Sequence, residues 1–281
     1  MSPTILSSEQ LCKLIPKRPR DSHKGMFGTV AVIGGKRGML GAPLIAARAA
    51  LKLGAGCVHA GLLADNAPSV DLLQPELMLH SASDALRLPG VDVFAIGCGM
   101  GTDLTAHKIL YDALHSAAAL VLDADALNIL AKRPDLRALL DARKAATVLT
   151  PHPGEAAHLL ACEIADVQAN RHTAAQELRK RFHSSVVLKG ADSVCVTSDG
   201  KLFINKTGNP GMSAPGMGDV LTGMIAAFIA QGMSADDALL LAVYLHGAAG
   251  DELAKQQAGI GMTATEVTEW ARWLLNQLAP N

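Results

Sequence analysis

The stretch Asn205-Lys-Thr-Gly208-Asn209-Pro210-Gly211-Met-Ser213-Ala214-Pro215-Gly216-Met217-Gly218-Asp219-Val-Leu-Thr222-Gly223 decides how the rest of the chain is read. Its first half is glycine, proline and small polar residues, which make loops. Its second half opens an apolar-periodic segment: Val220, Leu221, Met224, Ile225 and Phe228 recur at the spacing of one helix face. Gly232 supplies a stop. Gly216, Gly218 and Asp219 therefore fall where a loop becomes a helix N-terminus, with unpaired N–H groups and a dipole that favours anions. Glycine lets a large anion approach the backbone, so the stretch predicts a phosphate cradle. Asp219 is out of place there unless it has another task, and accepting a proton from a nucleophile during phosphoryl transfer is one. The plainer reading is that an acid in a first helical turn serves the helix dipole.

Working outward, strand, glycine turn and helix alternate from Gly28 onward. Strands are expected at 29–33, 57–60, 91–96, 119–122, 146–150 and 185–189, and helices at 42–53, 103–116 and 166–182. A hairpin follows at 193–204, then helices near 216–231, 235–254 and 263–276. This pattern predicts an α/β fold with a central, mostly parallel sheet covered by helices on both faces. With no linker and no repeat, residues 1–281 read as a single domain, and 1–25 as an N-terminal arm or lead-in helix. The Lys17–Arg20 cluster reads as a solvated face. Glycines and acids gather just after strands, the ligand edge of such sheets.

The 281 residues are 49% hydrophobic with a formal net charge of −1. That balance points to no nucleic-acid partner and no membrane, and aromatics at 3% make no base-stacking platform. Five scattered cysteines without a CxxC suggest neither a disulfide framework nor zinc. No signal peptide or membrane-length run is evident, so a cytoplasmic setting is expected. There is no Walker A, and the Gly97-x-Gly99-x-Gly101 turn breaks dinucleotide spacing. Glu155-Ala-Ala-His158 reads as a helix surface, and His246 as a core or interface histidine. Glu155, after Pro151-His152-Pro153-Gly154, has two open readings: service to the first turn of a helix, or holding Mg²⁺ through water.

Taken together, His23-Lys24-Gly25, Gly34-Gly-Lys-Arg-Gly38, Gly97-x-Gly99-x-Gly101, Asp123-Ala-Asp125, Thr150-Pro-His152-Pro-Gly154-Glu155, Lys189-Gly190-Ala191, Gly208-Asn-Pro-Gly211 and Gly216-Met-Gly218-Asp219 resemble, in order, the ADP/ATP-dependent NAD(P)H-hydrate dehydratases of the ribokinase-like superfamily. The resemblance implies repair of a hydrated cofactor, NADHX or NADPHX, in its S epimer. The ring hydroxyl is phosphorylated from ADP or ATP, phosphate leaves, and NADH or NADPH returns; bacterial members typically convert ADP to AMP. It implies Asp219 as the base; Ala42, Gly99, Gly101, His152 and Asp219 at the hydrate; and Lys189, Gly190, Ala191, Asp192, Ser193, Gly216, Met217 and Gly218 at the nucleotide. Glu155 is implied at a water-bridged Mg²⁺. A functional partner, the NAD(P)HX epimerase, is expected on a separate chain, and a homotetramer is the expected assembly. Two residues depart from the family's pattern. Pro215 removes one N–H from the cradle, and Cys98 stands where proline is usual, which should loosen that turn. Two other readings share the cradle: a kinase of a small alcohol or vitamin precursor, and a nucleotide-sensing module without catalysis.

Overall fold

Runs such as Thr29-Val-Ala-Val-Ile33 have apolar residues at successive positions, as strands buried on both faces require. In the computed structural model, which describes residues 3–256 and 259–279, these runs form one sheet. Its strands are β1 (Thr4–Ile5), β2 (Thr29–Gly34), β3 (Cys57–Leu62), β4 (Met78–Ser81), β5 (Val93–Ile96), β6 (Ala119–Leu122), β7 (Thr147–Leu149), β8 (Ser185–Leu188), β9 (Ser193–Val196) and β10 (Leu202–Asn205). The order is β1-β10-β9-β8-β7-β6-β5-β2-β3-β4. Only β9 runs antiparallel to its neighbours, through the hairpin expected at 193–204.

The helices are α1 (Ser8–Leu11), α2 (Gly41–Lys52), α3 (Ala82–Ala85), α4 (Leu104–Leu114), α5 (Ala124–Lys132), α6 (Pro134–Asp141), α7 (Pro153–Leu160), α8 (Ile164–Ala169), α9 (Arg171–Phe182), α10 (Met217–Ala230), α11 (Ala235–Gln256) and α12 (Ala264–Leu278). Alternate strand residues feed two cores. Val30, Val32, Val93, Ala95 and Val121 pack under α2, α10, α11 and α12. Ala31, Ile33, Phe94, Ile96 and Leu122 pack under α3 to α9. Helices α2 and α10 approach closely: a Cβ on Gly223 would lie 2.1 Å from the carbonyl oxygen of Ala46.

The structure adds to or departs from several expectations. The segment expected as an arm or lead-in helix holds the short helix α1 and, in addition, a strand: β1 pairs in parallel with β10, and Leu6, Leu11 and Ile15 are buried. Residues 1–2 and 280–281, the ends of the expected domain, lie outside the described residues. The helix expected at 166–182 is two, α8 and α9, because Asn170 leaves helical geometry at φ −139°. Strand β4 went unread, since Met78-Leu-His-Ser81 is short and lies on an edge. The Lys17–Arg20 cluster is exposed throughout, as expected; within it Arg18 also donates to Gly54 O and Gln231 Oε1 and stacks 3.8 Å above the Phe27 ring.

Candidate active site

Strands β2, β5, β6, β7 and β8 are parallel, so the loops that follow them share one edge of the sheet. The chain order reverses between β2 and β5, with β3 and β4 to one side and β6 to β8 to the other. A ligand crevice opens outside the strand ends at such a reversal. Here the loops on its two sides are stitched together. Gly35 N donates to Cys98 O at 3.0 Å and Lys36 N to Gly99 O at 2.7 Å, while Gly101 N donates to Asp125 Oδ2 at 2.7 Å. Ala42, in the first turn of α2, lies against Gly99.

α10 begins at this edge. Gly216, at φ +87°, takes the left-handed conformation that turns the loop into the helix. Val220 N makes the first bond back, to Gly216 O. Among the described residues, the N–H groups of Met217, Gly218 and Asp219 have no hydrogen-bond acceptor. They are the orphan donors of a helix N-terminus. Gly218 itself has no positive φ; what it supplies is space. A Cβ there would sit 3.1 Å from Lys189 Nζ and 3.5 Å from Asp123 Oδ2.

Behind the cradle lies a buried charge network. Lys189 Nζ pairs with Asp123 Oδ1 at 2.6 Å, and Thr222 Oγ1 donates to Asp123 Oδ2 at 2.9 Å. Asp123 is followed by Ala124, whose φ of +48° is unusual for a residue with a side chain. Cys98 Sγ and carboxylate oxygens of Asp123 and Asp219 all lie within 4.8 Å of one another. Burial disfavours the charge of Lys189, but Asp123 and Glu155 beside it hold its pKa above the ordinary lysine value. Burial raises the pKa of Asp219; Cys98 draws it down, Asp123 raises it, and Lys189 lowers it, with a net rise. Asp219 makes no capping hydrogen bond among the described residues.

At the start of α7, His152 and Glu155 form a reciprocal capping box. His152 N donates to Glu155 Oε2 at 2.7 Å, and Glu155 N donates to His152 Nδ1 at 3.1 Å. Glu155 is only 4% exposed. Burial raises its pKa to about 7 against the pull of Lys189. Burial, then the charge of Lys189, lowers that of His152. Next in the motif, His158 faces Asn128 at 3.0 Å, as a helix-surface residue does.

The remaining expected residues, Gly190, Ala191, Asp192 and Ser193, form the β8–β9 turn. Ser193 Oγ donates to Gly190 O, and Asp192, at φ +54°, pairs with Lys206. Among the described residues no hydrogen bond joins this turn directly to Gly216–Gly218; Lys189 links the two. Sequence reading missed Asp123, Cys98 and Thr222 as members of the site. Asp123 follows a strand in the quoted motif, and Thr222 lies three residues after Asp219 on one helix face, so both carried a signal. The Gly208–Gly211 loop is held by α11, where Asp251 accepts from Gly208 N and from Asn209 Nδ2. Among the described residues, Nε2 of His246 on α11 is buried without a hydrogen-bond partner, and burial lowers its pKa to about 4.

Comparisons with known proteins agree on a relationship. A family model described as NAD(P)H-hydrate dehydratase matches residues 30–272. The ADP-dependent (S)-NAD(P)H-hydrate dehydratase of Neisseria meningitidis serogroup B is 42% identical over 266 residues, covering 93% of this chain and 89% of that one. A bifunctional NAD(P)H-hydrate repair enzyme of Coxiella burnetii is 38% identical over 97% of this chain, which spans only 55% of that protein. The crystal structure of a Bacillus subtilis ADP/ATP-dependent NAD(P)H-hydrate dehydratase, co-crystallised with ATP and Mg²⁺, superposes with a TM-score of 0.88 at 27% identity, covering 99% of each chain.

Proposed function

Because the chain belongs to the NAD(P)H-hydrate dehydratase family, we propose that it dehydrates the S epimer of NADHX or NADPHX to NADH or NADPH, with ADP as phosphoryl donor and AMP as product. The observation that carries this reading is Asp219, a carboxylate one residue beyond Gly218, at a helix N-terminus with free N–H groups and Lys189 alongside. Asp219 takes the proton of the ring hydroxyl as its oxygen attacks the terminal phosphorus of ADP, and AMP departs. Hydroxide leaves poorly and phosphate leaves well, so elimination then restores the ring double bond. The N–H groups of Met217 and Gly218 hold phosphoryl oxygens, and Lys189 to Ser193 the rest of the nucleotide. Ala42, Gly99, Gly101 and His152 form the hydrate side. A kinase of a small alcohol would share Asp219 but has no use for the Pro-His-Pro-Gly-Glu turn.

The donor set suits Mg²⁺. Glu155, close to Asp123 and Asp125, offers a hard oxygen in a cluster whose crowded negative charge a cation relieves. We assign Glu155 to its water shell, where the ion would neutralise phosphate charge. The same reading takes residues 1–281 as one domain, supported by the single sheet. It places the enzyme in the cytoplasm as a homotetramer, with the epimerase on a separate chain. No helix among the described residues is long and apolar enough to cross a membrane. The test is to incubate NADHX with the protein, Mg²⁺ and ADP, follow the return of dihydronicotinamide absorbance and analyse the nucleotide. Recovery with AMP formed in equal amount is expected; turnover with ATP alone would overturn the ADP assignment.

A further inference from the structure

We propose that Cys98 is a positioning residue for Asp219: from the turn after β5, its thiol donates to the Asp219 carboxylate and holds it in place as the proton acceptor. The proposal rests on the reading of Asp219 as the base. Cys98 is one of the two departures from the family's pattern, and its expected effect was to loosen the glycine turn. Cys98 is fully buried. Its carbonyl accepts from Gly35 N, which fixes the turn. Its sulfur lies within 4.8 Å of carboxylate oxygens of both Asp219 and Asp123. A proline at this position would offer no donor at all.

The electrostatics give the contact a purpose. Asp219 must be ionised to accept a proton, yet it is desolvated beside a second carboxylate. Asp123 is already satisfied by Lys189 and Thr222. Asp219 shares the pull of Lys189 with Asp123, and the Cys98 sulfur lies within 4.8 Å of one of its oxygens. Burial, then the Asp219 and Asp123 charges, push the Cys98 thiol well above its ordinary value, so the proton stays on sulfur and is available to donate. A donor to a carboxylate favours the charged form and draws its pKa down. The other charged groups around this centre are spoken for. Glu155 and His152 of α7 and His246 of α11 face Lys189 rather than Asp219. On α2, Arg48 pairs with Asp71 and Lys52 with Glu269.

The sign follows directly. Without the thiol the Asp219 pKa rises, and the acid limb of the rate profile moves to higher pH. The experiment measures the Asp219 carboxyl titration by ¹³C NMR in the unliganded full chain, with Asp219→Asn assigning the resonance. Alongside it, kcat/KM is measured against pH. Cys98→Ala and Cys98→Val remove the donor, one leaving space and one filling it; Cys98→Ser keeps a donor. In the Ala and Val variants the midpoint and the acid limb are expected to rise together by roughly 0.5–1 pH unit, with Ser close to the parent. An unmoved midpoint in either folded donor-less variant overturns the proposal, as does a Ser variant that moves as far as Ala. The base reading has its own arm: an Asp219→Asn protein that turns over normally removes the base, and an inactive one with an unmoved Cys98→Ala midpoint removes Cys98 alone.

Discussion

Asp219 carried two readings in the sequence, base or servant of its helix, and one substitution separates them. Asn keeps the shape and removes the charge and the proton acceptor. We expect Asp219→Asn to slow turnover with saturating ADP by roughly 10²–10⁴-fold, about 3–5 kcal/mol of barrier, with ADP affinity held or raised because a charge near phosphate is gone. If the residue only served its helix, Asn would leave the rate unchanged. Glu155 gives a prediction about stability. Its folded pKa of about 7 lies above the ordinary glutamate value of 4.5, so between those values the folded state binds more protons than the unfolded one. Stability therefore falls as pH rises through that window and is flat above it. A shift of this size corresponds to something on the order of 3 kcal/mol. In EDTA-containing buffer, Glu155→Gln should remove most of that slope while Gln still accepts from His152 N. Urea titrations of both proteins at pH 5 and pH 8 check it, and parallel slopes would contradict the assignment.

At the scale of elements, the cradle is only as well placed as α10, and α10 is seated on α2. The absence of a side chain at Gly223 permits their approach, since a Cβ would lie 2.1 Å from a main-chain oxygen of Ala46 that cannot swing aside. Gly223→Ala is expected to destabilise by about 1–3 kcal/mol through overpacking. Because separating the helices displaces the N–H groups of Met217 and Gly218, KM for ADP should rise as well. Equilibrium unfolding and steady-state kinetics read the two effects separately, and a variant as stable as the parent would show that the helices accommodate the methyl. At the other end of α10, Gly232 at φ +90° closes the helix, with Met233 N reaching back to Phe228 O.

At the scale of the molecule, the N-terminal segment belongs to the sheet. Strand β1 covers β10, and Leu6, Leu11 and Ile15 are each less than a tenth exposed. Deleting residues 1–15 should cost roughly 5 kcal/mol or more, at about 1.5–3 kcal/mol for each large buried side chain. It also uncovers a strand edge that invites self-association. Urea unfolding and light scattering of the truncated protein test this; unchanged stability would show that the segment adds nothing to the core.

Sequence alone determined the parallel α/β architecture, the hairpin, the helix start at Gly216 and the placing of Asp219 in the first turn of that helix. These follow from short-range rules: apolar periodicity, glycine where the backbone must turn, and acids just after strands. It missed β1 and β4, because two- and four-residue edge strands acquire their conformation from a partner rather than from a pattern. It joined α8 to α9 because a break at one asparagine leaves no apolar signature. Only the tertiary structure decided the inner part of the site. Asp123, Lys189 and Thr222 lie 66 or 99 positions from one another in their hydrogen bonds, and Cys98 reaches Asp219 from another loop. No local rule links residues so far apart. They meet because parallel strands deliver all their carboxyl ends to one edge, and the order of those strands is set by packing across the whole sheet.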